Sequence, residues 1–461
     1  MYYRLESDSI GEKQVSSEAY YGVQSLRAKE NFNITNKMLP EVQIISLAEI
    51  KKASAITNKE AGELSSDIAD SIATACDKII EGKFHDQFIV DQIQGGAGTS
   101  ANMNANEVIA NIALEIMGKE KGEYSFCHPN DHVNMAQSTN DVYPTSIKMS
   151  IYRTALILIN KLEELYQALM KKSEEFHDVI KIGRTQLMDA VPITLGQEFH
   201  AYAFAVLRDK NRLERALQEI LTVNMSATAV GTCINSCEYY FENIVPKLAE
   251  ISNIPLVRAK DMVDATQNID CFSVISSTLK TCAISLSKMS NDIRLMNGGP
   301  KAGLAEITIP AKQNGSSIMP GKINPVIPEV MNQCAFAVMG NDFTVTMACE
   351  AGQLELNAFE PVVFNRINES LILLINGVDT MIYNCIEGIV ANEKRCKELL
   401  DNSTGYVTAL CPILGYKTTS NIAKKFLKDG TSIIDGAIEH GLKQEELDDI
   451  LNPEKLARKF A

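Results

Sequence analysis

Apolar residues recur at intervals of three and four along much of the chain, a spacing typical of amphipathic helices. One such stripe consists of Ile151, Ala155, Leu158, Leu162, Leu165 and Leu169. The same spacing covers residues 43–63, 104–117, 195–230, 274–297, 326–350 and 367–391. Several of these segments are longer than ordinary globular helices. We therefore predict a mainly α protein whose long helices pack in a bundle and keep apolar surface for other subunits.

The chain shows no internal repeat and no linker rich in Gly and Ser, so its predicted domain boundaries are soft. A mixed N-terminal region extends over residues 1–138, a helical middle over 139–393, and a region of short helices over 394–461. The main interruption of the middle region is Gly298–Pro328, which holds five glycines and five prolines. Regular structure is not expected there.

Composition excludes several classes of function. With 461 residues, 45% of them hydrophobic, the chain can bury a large core. A net charge of −14 argues against binding to nucleic acids or anionic membranes, which require basic surface. We find no apolar run of membrane-spanning length and no signal-peptide core near Met1. The eleven cysteines lack any Cys-x-x-Cys pair, so we expect reduced thiols and a cytoplasmic protein.

Candidate chemistry concentrates in the segment Gly315–Pro325. It carries adjacent hydroxyls at Ser316 and Ser317, a cation at Lys322 and an amide at Asn324. These are the components of a mobile lid that grips an anion. Considered alone, the segment is also compatible with a Gly-Ser-Ser turn whose hydroxyls are solvated.

Three further polar turns, at residues 95–102, 137–145 and 183–194, are each predicted to run directly into a helix. Free N–H groups and the positive end of the helix dipole suit such turns to binding a small dianion. The alternative is that their Ser, Thr and Asn residues are only N-caps. Sequence alone leaves both interpretations open.

No metal site is expected. His128 and His132 are four residues apart but lack convincing carboxylate or thiolate co-ligands. A structural loop or a secondary anion site near His128 is the favoured interpretation. We also expect Arg184 to form a buried ion pair that braces its turn rather than to contact a ligand. No nucleotide-binding fingerprint is present.

Several of these motifs together resemble a known family. The eleven residues Gly315–Pro325 resemble the signature loop of the aspartase/fumarase superfamily. The segments 128–134 and 137–141 narrow the resemblance to the branch of fumarate hydratases and aspartate ammonia-lyases. Residues 96–104 and 20–23 are more similar to the ammonia-lyases. The likeness extends from about Tyr20 to Pro453.

This resemblance implies a mainly α, three-domain fold. Its central domain, residues 139–393, would carry the catalytic loop at about 312–326, between an N-terminal domain (1–138) and a small C-terminal domain (394–461). The family also implies a homotetramer with a multi-helix core, in which each active site is built from three subunits. The implied substrate is a small molecule.

The implied reaction is the reversible deamination of L-aspartate to fumarate and ammonia, by anti elimination through an aci-carboxylate. Ser316 would be the general base. Four hydroxyl residues would bind the carboxylate that takes up the charge: Thr99, Ser138, Thr139 and Ser317. Lys322 and Asn324 would hold the other carboxylate. Three residues would grip the amino group: Asn140, Thr185 and Gln186.

Gln186 bears on the choice of leaving group. Fumarases have His in this place, whereas a neutral amide oxygen accepts well from an ammonium group. The distinction is incomplete, because some aspartate ammonia-lyases also have His there. A fumarate hydratase and a catalytically silent scaffold therefore stay as alternatives. No cofactor is expected to be required, and activation by Mg²⁺ is left open.

Overall fold

The computed structural model describes residues 2–458, and within this range the chain is mainly helical. The α-helices are α1 Val23–Asn31, α2 Glu41–Glu60, α3 Ser66–Ile80, α4 Thr99–Ile116, α5 Thr139–Glu175, α6 Leu195–Ile220, α7 Glu238–Ser252, α8 Asp264–Gln267, α9 Asp270–Asn297, α10 Val326–Glu350, α11 Glu360–Asn384, α12 Glu393–Asp401, α13 Cys411–Asp429, α14 Ile433–Ile438, α15 Gln444–Ile450 and α16 Pro453–Ala457. The predicted fold class is confirmed.

In the described part of the chain, eight short strands accompany the helices: β1 Tyr3–Asp8, β2 Gly11–Ser16, β3 Ile180–Thr185, β4 Met188–Thr194, β5 Thr222–Val223, β6 Val257–Arg258, β7 Ile307–Thr308 and β8 Val390–Ala391. They pair in twos. The pairs β1–β2, β3–β4 and β7–β8 are antiparallel, and β5–β6 is parallel.

The predicted long helices are present, but one of them is shorter than predicted. Five helices have 25 residues or more, namely α5, α6, α9, α10 and α11. The helix predicted over 195–230 instead ends at Ile220. Polar side chains beyond this point are buried and have other partners: Asn224, for example, donates to the Asn140 carbonyl at 3.0 Å. These hydrogen bonds replace the helical pattern.

The predicted helix after residues 183–194 is present, but these residues form part of a hairpin and not a turn at the helix start. Residues 180–194 form the β3–β4 hairpin, and α6 begins only after Thr194. The β-branched residues Val191, Ile193 and Thr194 favour a strand. Thr185 and Gln186 consequently lie at a hairpin tip and not at a helix N-terminus, so the predicted helix dipole is absent there.

The chain divides into two compact units. Unit 1 consists of Met1–Ile159, Asn211–Thr281 and Phe336–Leu374, and unit 2 consists of Asn160–Lys210, Cys282–Ala335 and Ile375–Ala461. The division cuts all five long helices. The predicted boundaries at residues 138 and 393 stay a prediction.

Burial fits the predicted large core. The long helices bury apolar stripes such as Leu158, Leu162, Leu165 and Leu169 of α5. The eleven cysteines are free thiols, and each is buried or half-buried. Among residues 2–458, none of the helices combines the length and the apolar character needed to cross a bilayer.

Candidate active site

Two of the predicted carboxylate-binding turns meet in unit 1. Thr99 is the first residue of α4, and Thr139 is the first residue of α5. Asn102 of α4 connects them, because its Nδ2 donates to Thr139 Oγ1 at 3.1 Å. The N-termini of the two helices therefore lie side by side. Their free N–H groups and dipoles provide positive potential at one place.

A glycine permits this close approach. Gly98 has φ +89°, and a Cβ at this position would lie 2.3 Å from the ring of Tyr143 on α5. Tyr143 is buried, so its ring has little room to move aside. Only glycine accommodates both the left-handed backbone and the ring.

The N-cap alternative holds for one of these residues. Ser138 Oγ accepts from the Asn140 N–H at 3.2 Å, as an N-cap of α5 does. Thr99 differs, because its hydroxyl donates to the Gly96 carbonyl at 2.7 Å. Asn140 is itself fixed by a bond from its Nδ2 to the Ala229 carbonyl at 2.7 Å. The three side chains are thus held in defined positions around the start of α5.

A buried lysine beneath these turns escaped the sequence analysis. Lys51 of α2 donates from Nζ to Asn134 Oδ1 at 2.8 Å and to Gln137 Oε1 at 2.9 Å. Asn134 Oδ1 also accepts from Asn102 at 3.2 Å. The cation therefore orients the segment that leads into Ser138. Its signal in the sequence is a lysine at a position of the α2 stripe where Leu47 and Ala55 are buried.

Burial shifts the pKa of two charged groups in this network. It lowers the pKa of Lys51 to about 7 and raises the pKa of the Asp141 carboxyl to about 7. The charge of each group partly opposes the pKa shift of the other. The Asp141 carboxylate also accepts from the N–H groups of Ser138 at 2.9 Å and Thr228 at 3.0 Å. These bonds favour its ionised form.

The candidate residues for the amino group in unit 2 lie at a strained hairpin tip. Gln186 has φ 54° and Leu187 has φ 65°, so two adjacent non-glycine residues are left-handed. Thr185 lies beside them at the end of β3. The expected ion pair of Arg184 is confirmed, since its Nη1 lies 2.9 Å from Glu306 Oε1.

The loop predicted to hold the general base also belongs to unit 2. Ser316 Oγ accepts from the N–H groups of Ile318 at 3.1 Å and Met319 at 2.9 Å. Two donors aimed at this oxygen stabilise negative charge on it. The Ser316 hydroxyl is therefore hydrogen-bonded within the loop, in contrast to the alternative of a merely solvated hydroxyl.

Three contacts close this loop on itself. The Gly315 N–H donates to the Lys322 carbonyl at 2.7 Å, and Asn324 Nδ2 donates to the Gly315 carbonyl at 2.7 Å. Residues Asn314 and Ile323 form a β-bridge. A Cβ on Gly315 would lie 2.5 Å from the Lys322 carbonyl oxygen, so glycine is needed here. Asn324 therefore also braces the loop, and the Lys322 and Ser317 side chains are exposed.

Sequence comparison places the chain among known enzymes. The family profile described as "Lyase" matches residues 11–340. Aspartate ammonia-lyase of Bacillus subtilis (strain 168) is 51% identical over 99% of this chain and 96% of that protein. Aspartate ammonia-lyase of Escherichia coli (strain K12) is 45% identical over 98% and 96% of the two chains.

The chain belongs to the aspartate ammonia-lyase branch of the aspartase/fumarase superfamily.

Solved structures extend this family assignment to the fold. A fumarate lyase:delta crystallin from Brucella melitensis superposes with a TM-score of 0.96 at 46% identity, covering 99% of this chain and 100% of that chain. A class II fumarase from Schistosoma mansoni also gives 0.96, at 33% identity and complete coverage of both chains. The profile "Fumarase C C-terminus" matches residues 407–458. The family fold therefore includes the C-terminal helices.

Proposed function

We propose that the protein is an aspartate ammonia-lyase, which converts L-aspartate reversibly to fumarate and ammonia. The observation that carries the proposal is the Ser316 hydroxyl oxygen, which accepts from two backbone N–H groups. A family member that removes a proton from carbon needs such a stabilised oxygen as its base. The long matches to aspartate ammonia-lyases favour aspartate over malate as the substrate.

In this proposal the Ser316 alkoxide removes a proton from the carbon next to one substrate carboxylate. The electron pair of the broken C–H bond moves into that carboxylate and forms the aci-carboxylate. It returns to form the C=C bond as the C–N bond breaks and ammonia leaves. The proton on Ser316 then passes to ammonia or solvent, which regenerates the base.

The growing charge on the carboxylate requires donors that are in place beforehand. Ser138 and Thr139, with Ser317 of the loop, supply hydroxyl donors, and the adjoining helix starts supply N–H groups. Thr99 joins them when its hydroxyl turns from the Gly96 carbonyl to the substrate. Each well-placed donor contributes about 3–4 kcal/mol to the stabilisation of the transition state in such sites. Lys322 and Asn324 bind the second carboxylate.

The amino group is assigned to Asn140, Thr185 and Gln186. Their amide and hydroxyl oxygens accept from an ammonium group. An ammonium group carries the protons it needs for departure, so a neutral glutamine suits this position better than it suits a leaving hydroxide. No cofactor takes part in these steps.

We also propose that the enzyme acts as a cytoplasmic homotetramer whose active sites draw on three subunits. Support comes from α10, where Phe336, Phe343 and Met347 are 61%, 68% and 58% exposed. Their spacing of seven and four residues places them on one face of the helix. Large exposed apolar side chains in a row are typical of a subunit interface.

A paired assay tests the proposed reaction. Purified protein is given L-aspartate or L-malate, with and without Mg²⁺, while the ultraviolet absorbance of fumarate is followed. We expect fumarate from aspartate and little or none from malate. A larger rate with malate would make the protein a fumarate hydratase. No fumarate from either substrate, over a range of pH, would favour a catalytically silent scaffold.

A further inference from the structure

Unit 2 contains a buried group of four charged side chains directly behind the β3–β4 hairpin tip. Glu306 lies at its centre, with a side chain that is 0% exposed. Arg184 Nη1 is 2.9 Å from Glu306 Oε1, and Lys181 Nζ is 2.8 Å from Oε2. Lys181 Nζ also donates to both oxygens of Glu198 at 2.9 Å. Two acids and two bases therefore balance one another. Lys181 and Glu306 are shielded from water, whereas the Arg184 and Glu198 side chains are half-buried.

Burying charges is costly, so such a group calls for an explanation other than stability. Desolvation of each ion costs several kcal/mol, and apolar replacements of buried ion pairs are often neutral or stabilising. An ion pair does supply direction, because a guanidinium and a carboxylate fix each other's orientation. Positioning of the attached backbone is the use that fits this geometry.

Glu306 is a fixed anchor for the group. Its N–H donates to the Met296 carbonyl at 2.9 Å, and its carbonyl accepts from the Asn392 N–H at 2.8 Å. Strand β7, which follows immediately, pairs with β8. The carboxylate therefore projects from backbone that is held on both sides.

The hairpin has a bulge next to Arg184, the residue that pairs with this anchor. The pairing of β3 with β4 shifts register between Ile182 and Arg184, which marks a bulge: Ala190 and Val191 of β4 lie opposite the single residue Gly183 of β3. A Cβ on Gly183 would lie 2.9 Å from the Val191 carbonyl oxygen, so the bulge depends on glycine. Bulges redirect the side chains next to them. Arg184 pairs with Asp189 directly after this bulge, two positions before Gln186.

The tip itself needs an external constraint. Gln186 and Leu187 are both left-handed, and each such non-glycine residue costs roughly 1–2 kcal/mol. Conformations of this kind persist where the surroundings over-determine them. The Leu187 side chain is exposed and cannot supply that constraint. Arg184, which is anchored by Glu306 and adjacent to Thr185, can supply this constraint.

We propose that Glu306, Arg184 and Lys181 are positioning residues that hold the strained tip so that Thr185 and Gln186 meet the amino group of the substrate. This inference rests on the proposed ammonia-lyase reaction. It predicts that a change in the buried group weakens the binding of ligands that carry nitrogen and leaves the binding of the two carboxylates unchanged. A purely structural role would weaken all ligands alike.

Glu306→Gln tests the inference in the full-length enzyme. It keeps the shape of the side chain and removes its charge. We expect the KM for L-aspartate, and the KM for ammonia in the reverse reaction, to rise about tenfold. The KM for fumarate and the inhibition constant of succinate, a dicarboxylate without nitrogen, should stay within about twofold. Parallel weakening of all four, or an unchanged KM for ammonia, would overturn the proposal.

A double-mutant cycle provides the second measurement. Gln186→Ala should raise the same two constants, and adding Glu306→Gln should cause little further loss, because both changes act through one contact. Additive losses, or no effect of Gln186→Ala on the KM for ammonia, would contradict the proposal. If Glu306→Gln fails to fold, Arg184→Lys retains the charge but loses the fork geometry and should show the same selectivity for nitrogen.

A matched control is Glu49→Gln in unit 1. Glu49 is also buried and pairs with an arginine, Arg153, at 2.7 Å. The Glu49→Gln variant should have lower thermal stability but an unchanged ratio of the KM values for ammonia and fumarate. A wild-type enzyme that makes no fumarate from aspartate would instead refute the proposed function, which separates the two failures.

Discussion

Among single residues, Ser316 is the proposed base, and its surroundings are set by its immediate neighbours in the chain. Its hydroxyl oxygen faces the N–H groups of Ile318 and Met319, which come two and three positions later in the chain. The base role of Ser316 comes from the family resemblance and stays a prediction, whereas these two contacts are observed. Charge placed on the oxygen meets donors that are already oriented.

Ser316→Ala should therefore lower kcat by a factor of about 10²–10⁴, the usual contribution of a general base, with the KM for aspartate changed little. Lys322→Met serves as the comparison. Its loss of a charged contact to the substrate should raise KM by roughly 10–100-fold. Steady-state fumarate production measures both. An unchanged kcat in Ser316→Ala, or an unchanged KM in Lys322→Met, would refute the corresponding role.

Glu360 of α11 provides a prediction about pH. Burial raises the pKa of its carboxyl from a usual value near 4.5 to about 8, and Lys148 opposes this shift only partly. Between these values the folded protein holds a proton that the unfolded chain lacks. The free energy of unfolding should therefore decrease as pH rises through this range, with the contribution fully present below about pH 4.5.

Glu360→Gln cannot ionise, so it should lose less stability than the wild type on going from about pH 5 to about pH 8. We expect a relative gain of roughly 3–4 kcal/mol, since each unit of pKa shift corresponds to about 1.4 kcal/mol and the pH range covers most of the shift. Chemical denaturation at constant protein concentration measures the difference at each pH. If the wild type lost no more stability than Glu360→Gln between these pH values, the carboxyl would not be protonated in the folded state.

At the scale of elements, the start of α4 depends on one glycine. Gly98→Ala adds a methyl group where the Tyr143 ring lies, and it also forces alanine into a left-handed backbone. The combined cost should be about 3 kcal/mol. Thr99, the next residue, should be displaced as well, so turnover should fall together with stability.

Gly62→Ala is the matched control for this substitution. Gly62 has φ +79°, but a Cβ there would meet no atom within 4 Å. It should cost only about 1 kcal/mol, through backbone strain, and leave turnover unchanged. Urea denaturation and the aspartate assay compare the two variants. Equal losses of stability would show that the Tyr143 contact contributes nothing.

Sequence predicted the elements that depend on local pattern and missed those that depend on distant partners. The helical stripes and the Gly315–Pro325 loop were visible because their residues are close in the chain. The hairpin at Thr185 was mistaken for a helix start, because short polar residues suit both kinds of turn. Arg184 was expected to form an ion pair, but Glu306 lies 122 positions away, and no local pattern identifies it. Lys51 was missed for the same reason.

For the assembled protein, the exposed apolar stripe of α10 is where the proposed subunit contacts can be tested through their effect on activity. Phe336, Phe343 and Met347 form an apolar face that a monomer would leave in water. In the proposed tetramer this face is covered by other subunits. Disruption of the stripe should therefore affect activity even though its residues have no catalytic role.

Phe343→Lys should dissociate the enzyme into smaller species and reduce turnover by tenfold or more, because a buried unpaired charge costs several kcal/mol. Leu427→Lys, at another exposed apolar residue (72% exposed, on α13), is the control and should leave both properties unchanged. Light scattering coupled to size-exclusion chromatography gives the mass. Wild-type mass and full turnover in Phe343→Lys would place the subunit contacts elsewhere.

The bonds that fasten the 314–324 loop to itself also govern how it can travel. Because Gly315 is tied to Lys322 and Asn324, the intervening residues form a small ring with fixed internal geometry. If the loop moves with these bonds intact, it must pivot at its two ends, and Ser316 and Lys322 must move together. In the proposed reaction, one movement of the loop would then bring both the base and the carboxylate-binding cation to the substrate.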